Sequence, residues 1–261
     1  MSNIIDLSGD AESTDKWLTD RIVTITIGRE ERRWLVHEKL LSQHSAFFDE
    51  YFNGPEEEPI DRDEMKLPEE DPKLFALFIR WLYGTAFATS GGRRVFRFPV
   101  PNPEKPDTPT VRDYLGLYVL GGKLGVIGVR NAASDALYEY YGPASDNHKS
   151  PNLHDVKYIF DNTTPDAPLR RFLIAQTLFY LFSLNRRNAP LPRDWIMVLT
   201  QHAEIGFAMI RMLADWNWAI GDNAPNMNLR PRQEFHERIP LPQIVKDEVD
   251  DDPVEFFDDL D

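Results

Sequence analysis

The chain of 261 residues contains no cysteine. That excludes a disulfide framework, a cysteine-ligated zinc finger, an iron–sulfur cluster and a thiol nucleophile, and it fits a reducing compartment. Long apolar runs are also missing. The longest, Phe172 to Leu184, is too short to span a bilayer and is interrupted by Gln176, Thr177 and Ser183, so it reads as a buried helix. Positive charge is scarce: 29 lysines and arginines face 43 aspartates and glutamates, a formal net charge of −14 at pH 7. Such a balance repels nucleic-acid phosphates and anionic membrane surfaces. The pairs Arg93-Arg94, Arg170-Arg171 and Arg186-Arg187 are isolated and read as solvated helix ends and loops. Met1 to Asp20 has neither the basic flank and apolar stretch of a secretory signal nor the Arg-rich amphipathicity of a mitochondrial presequence. The expectation is an intracellular protein, cytoplasmic or nuclear, with neither nucleic acid nor membrane as a partner.

What is present is a good supply of core residues, 42% hydrophobic and 12% aromatic, ordered in readable blocks. Residues 1–20, with Trp17 as one large anchor among Asp, Ser and Thr, read as a disordered lead-in. Ile22 to Ile27 alternates at period two and places Val23, Ile25 and Ile27 on one face of a strand; a polar turn at Gly28 to Glu31 and a returning strand at Arg33 to Val36 complete a hairpin. Glu38 to Phe52 changes to helical spacing as two short helices, with Ser45 as the cap of the second. A loop over 53–63 and a short strand at Met65 to Leu67 follow. Asp71-Pro72 then opens an amphipathic helix carrying Leu74, Phe75, Leu77, Phe78, Trp81 and Leu82, expected to stop at Gly84.

Residues 85–109, with Gly91-Gly92 and prolines at 99, 101, 103, 106 and 109, read as an inserted loop with an edge strand at Val95 to Phe98. Two helices follow, at Thr110 to Leu124 and Val126 to Tyr141, separated by Gly125, and Pro143 to Ser150 breaks the chain again. The remainder reads as helix: Leu153 to Phe160, Leu169 to Leu184, and Pro192 to Ile220 interrupted near Gly206. Residues 221–261 read as a disordered tail, its last fifteen residues holding nine acids and no base. No repeat of solenoid length is visible.

Several ordered blocks carry a resemblance. Val36-His37-Glu38-Lys39-Leu40-Leu41, then Ser45-Ala46-Phe47-Phe48 and Tyr51-Phe52-Asn53-Gly54, resembles the "V-H-K-x-L-L … S-x-x-F … F-x-G" stretch of BTB/POZ domains. Met65 to Pro72 leading into Phe75 and Trp81-Leu82-Tyr83-Gly84, and Tyr118 to Val126 continuing to Leu137, resemble the version found in many fungal BTB proteins. Gly121-Gly122 departs from the acidic residue or Ala common there and is expected to weaken its helix by about 1 kcal/mol per glycine; the 85–109 insert is longer than usual. The resemblance implies an α+β fold over 21–141, a small sheet with helical hairpins; the helical reading beyond it adds an all-α region at 151–220.

It also implies protein–protein association. Such domains commonly homodimerise through the first strand and first helices, which makes Val23, Ile25, Leu40, Leu41, Phe48 and Phe52 the expected contact residues, with Leu40 and Leu41 exposed and the first strand offering an unpaired edge. Some members recruit a cullin-type ubiquitin-ligase scaffold and often carry a hydrophobic-x-Glu motif after the "F-x-G" helix; Gly54 to Arg62 has no clean match. A regulatory scaffold without a ligase is the alternative, and an enzyme in the C-terminal helices is a remote one.

Candidate chemistry is thin. Histidines 37, 44, 148, 154, 202 and 236 form no H-x-x-x-H or H-E-x-x-H pair, there is no G-x-S-x-G elbow, and His37 reads as a hydrogen-bonded structural residue. The glycines around Lys123 fail phosphate-loop spacing, since Leu117 stands where the first glycine belongs and Leu124 where Ser or Thr does. No enzyme, metal or cofactor is expected. Trp195, Trp216 and Trp218 with Phe207, Met209, Ile210, Met212 and Leu213 read as core or as a partner groove. Phe256, Phe257 and Leu260 are candidates for a docking segment that folds on binding.

Overall fold

In the computed structural model, which describes residues 21–54, 63–90, 96–142, 150–186, 190, 193, 195, 200–215 and 232–238, the period-two segment becomes the middle of a three-stranded sheet. Strand β1 (Ile22–Ile27) pairs antiparallel with β2 (Arg32–His37) and parallel with β3 (Glu64–Leu67), so the order is β2-β1-β3. The first strand therefore has both edges occupied, and the open edges of the sheet belong to β2 and β3 instead. Strand order depends on the non-local pairing with β3, which no local pattern reports. Val23, Ile25 and Ile27 are fully buried with their partners Val36 and Met65.

Helices α1 (Glu38–His44) and α2 (Ala46–Asn53) cross from β2 toward β3. Ser45 separates them as expected: its Oγ accepts from the Phe48 N–H (3.2 Å) and donates to the carbonyl of Leu124 (2.5 Å). One buried hydroxyl thus caps α2 and ties it to a turn 79 residues away. Asp71 caps α3 (Pro72–Ser90) through its carboxylate on the Lys73 N–H at 2.7 Å.

Helix α3 does not stop at Gly84. A side chain there would lie 2.3 Å from the Phe96 ring, so the glycine admits Phe96 rather than ending the helix. Residues 96–110 are irregular; the expected strand at 95–98 is absent over 96–98, and Val95 lies outside the described residues. Pro99 and Pro101 remove ladder donors, and the segment is held by its side chains: Phe98 is buried 5.3 Å from the Tyr114 ring, and the Tyr114 hydroxyl donates to the Pro99 carbonyl at 2.6 Å.

Thr110 forms a capping box with Asp113 to start α4 (Val111–Lys123), and Gly125, at φ +67°, turns the chain into α5 (Ile127–Tyr141). The two helices pack closely. A side chain at Gly121 would lie 2.6 Å from Val129 Cγ1, and one at Gly128 would lie 2.6 Å from the Trp81 indole. Gly121 thus exchanges helix propensity for close approach. Helices α6 (Leu153–Asn162), α7 (Pro168–Arg186) and α8 (Ala203–Asp215) follow, and the break before α8 falls at His202, with Gly206 inside the helix.

Arg170 is not a solvated helix-end residue. It is buried, with Nε donating to Thr163 Oγ1 (2.9 Å) and Nη2 to the carbonyls of Phe160 (2.5 Å) and Thr163, satisfying the end of α6. The chain is also not free of structure after 221. Residues Arg232–Phe235 form a 3-10 turn whose Phe235 is buried against α5 and α7. The polar sequence hid this because its partners lie up to 119 residues away. One hydrophobic core runs from Val23 to Phe235, so the sheet layer and the helical region are packed together.

The Gly128→Ala variant discriminates close approach from propensity. Propensity alone favours Ala by up to about 1 kcal/mol, whereas overpacking against the indole is expected to cost about 1–3 kcal/mol, read as a lower midpoint in urea unfolding.

Candidate interaction surfaces

All six residues expected at a protein contact are spent in the chain's own core. Leu40 and Leu41 are 1% and 0% exposed, and Val23, Ile25, Phe48 and Phe52 are likewise buried. The expected exposure of Leu40 and Leu41 is not found, because α1 turns both inward onto the chain's own core. Phe256, Phe257 and Leu260 lie outside the described residues, as do residues 55–62, where a cullin motif is expected in recruiting members.

The outer sheet face presents a different set. Thr24 pairs with Leu35 and Ile22 with His37, all on the side away from Val23 and Ile25. Leu35 is 73% exposed and Ile22 54%, and the exposed cations Arg33 and Lys66, both opposite Thr26, stand at one end of this patch. Beyond β2 no further strand lies among the described residues. The signal was legible but unread: Trp34-Leu35-Val36 is three consecutive apolar residues in a strand, so one must face away from the core.

The C-terminal aromatic set divides between both readings. Trp195 and Met209 are buried, whereas Phe207 and Ile210, three residues apart on α8, are each 66% exposed; Met212 and Leu213 are half-buried, and Trp216 and Trp218 lie outside the described residues. On α2, Phe47 is also exposed. A shallow open cavity of about 450 Å³ between the hairpin turn and the start of α3 is lined by charges of both signs, including Arg29, Glu30, Glu70 and Lys73.

The matched blocks and the sheet topology agree with one comparison: residues 15–94 match the family model of the BTB/POZ domain. The chain carries a BTB/POZ domain. This is a protein-interaction family, not an enzymatic one. The match ends just after α3, while α4 and α5 extend the BTB/POZ core without a break. No curated protein matches the chain.

Ionisable groups in and around the BTB/POZ core have structural partners. His37 Nδ1 lies 2.8 Å from the Tyr83 hydroxyl, which also accepts from the His37 N–H. Burial lowers the pKa of His44, whose ring meets that of Trp81 edge-on at 5.3 Å. Lys123 pairs with Glu70 at 2.7 Å. Burial alone would raise the Asp113 carboxyl, but bonds from Lys73 and Thr110 outweigh it and hold the pKa below its ordinary value. Among the described residues no cluster of three or more His, Asp or Glu could hold a metal, and no helix is long and apolar enough to cross a membrane.

Tyr114, Tyr118 and Tyr141 are pushed well above the ordinary phenol value, first by burial, then for Tyr118 by its bond to Glu237 and for Tyr141 by the charge of Asp155. A raised folded-state pKa stabilises fully below the unfolded value near pH 10 and is lost above it. Stability is therefore expected to fall by about 1.4 kcal/mol per pH unit per tyrosine above pH 10, with phenolate absorbance appearing together with loss of helix. Titration of all three without unfolding would contradict their burial.

Proposed function

We propose that the chain is an intracellular adaptor that self-associates, the outer sheet face and β2 edge of one copy meeting the same surface of a second. The observation that carries this reading is Leu35: a large apolar side chain, 73% exposed, on the edge strand and two register positions from Ile22 on the same face. An edge strand invites a further strand, and a two-fold arrangement uses the same patch on both copies. Arg33 and Lys66, both opposite Thr26, provide a charged border at one end of the apolar patch. The exposed Phe207 and Ile210 supply a second surface for another protein.

A ligase reading adds a cullin-type scaffold as partner; the exposed aromatic Phe47, on the helix Ala46–Asn53 that precedes residues 54–62 in the chain, favours it. A regulatory scaffold uses the same dimer without it.

Light scattering on a sizing column separates these. The chain is expected at twice its monomer mass of 30.2 kDa, and Leu35→Asp at the monomer mass with stability changed by no more than about 1 kcal/mol, because the site is exposed. A dimer that survives Leu35→Asp overturns the placement, and a monomeric parent overturns self-association. A higher-mass complex with the N-terminal region of a BTB-binding cullin selects the ligase adaptor; an unchanged mass selects the scaffold.

A further inference from the structure

Residues 232–238 are held unlike a packed helix. Their backbone is read by side chains of the body: Asn131 Oδ1 accepts from the Glu237 N–H (2.7 Å), Asn131 Nδ2 donates to the Glu237 carbonyl (3.2 Å), and Arg171 Nη2 donates to the Glu234 carbonyl (2.9 Å). A two-way amide contact of this kind recognises any extended peptide at that position. One aromatic anchor accompanies it, Phe235, whose ring lies 5.2 Å from Phe172 and 6.3 Å from Tyr138.

Charge fixes the direction of the segment. Arg232 meets Glu139 at 3.2 Å and Asp135 at 3.6 Å, and His236 Nε2 lies 2.8 Å from Asp135. At the other end the Glu237 carboxylate takes Arg130 Nη2 at 2.7 Å and the Tyr118 hydroxyl. The groove between α4, α5 and α7 is thus acidic at one end, aromatic in the middle and basic at the other. It is also not saturated, since Arg130 Nε is buried with no hydrogen-bond partner among the described residues.

We infer that this groove is a peptide-recognition site and that residues 232–238 occupy it in cis as an autoinhibitory strap. The ligand is a segment of another protein with an aromatic residue, a basic residue three positions before it and an acidic one two positions after it. Binding requires displacement, so apparent affinity is reduced by the fraction of chains whose strap is open. The surface is separate from Leu35 and β2, so its test is independent of self-association.

The test uses the full chain and a fluorescent peptide of residues 230–240. Phe235→Ala with Glu237→Ala releases the strap and leaves the groove residues unchanged. Anisotropy is expected to show the peptide binding this variant at least ten-fold more tightly than the parent chain, and Asn131→Ala in the released chain abolishing the gain. A peptide with the Phe and Glu replaced by Ala is expected not to bind. Equal affinity for parent and folded released chain, or no binding to either, overturns the inference and leaves 232–238 as a structural element. Should the double variant fail to fold, Glu237→Gln carries the same comparison, because it removes only the charge that faces Arg130.

Discussion

The rings of Trp34, Phe75, Phe78 and Phe48 form one continuous contact, and the placement of the other elements depends on it. Trp34 on β2 meets Phe75 edge-on at 5.2 Å, Phe75 meets Phe78 at 5.5 Å along α3, and Phe78 stacks at 6.2 Å on Phe48 of α2, which stacks in turn on Phe52. Trp81 extends the row to Gly128 at the start of α5. A three-stranded sheet of short strands cannot exclude water from its inner face alone. The aromatic row of α3 closes that face, with each fully buried ring contributing about 1.5–3 kcal/mol. Once α3 is fixed, Gly128 sets the approach of α5, and the Ser45 bond to the Leu124 carbonyl locks the α4–α5 turn over α2.

The BTB/POZ match accounts for the sheet and the first helices, but the molecule does not divide at its end. Lys73 on α3 pairs with Asp113 on α4 at 2.7 Å, Arg112 on α4 bridges to Asp155 of α6 and lies over the Tyr158 ring, and the core is continuous as far as α7 and Phe235. The helical region is thus a second layer on the interaction domain, and it leaves the outer sheet face and one side of α8 uncovered by described residues.

Local chemistry was legible in the sequence and long-range choices were not. The alternation at 22–27, the Ser45 and Asp71 caps and the Gly125 turn each act within a few residues, and each stands where the sequence put it. Gly84 failed because a glycine that ends a helix and one that admits a ring look alike until Phe96 is in place. The exposure expected of Leu40 and Leu41 failed because an apolar helix face does not say whether its own sheet or a second molecule covers it. The middle position of β1 and the docking of 232–238 were hidden for the same reason: β3 and Asn131 are distant in sequence, and a run such as Arg232-Gln233-Glu234 is indistinguishable from a solvated tail until its partners are known.

Buried side chains build the BTB/POZ body, and the proposed self-association falls to Leu35 with the β2 edge. Amide hydrogen exchange on the full chain at low and high protein concentration measures this most directly. Residues 32–37 are expected to gain protection as concentration rises, while α3, already deep in the core, is unchanged. Protection at 32–37 that does not depend on concentration, or a gain confined to other elements, would contradict the placement of the interface.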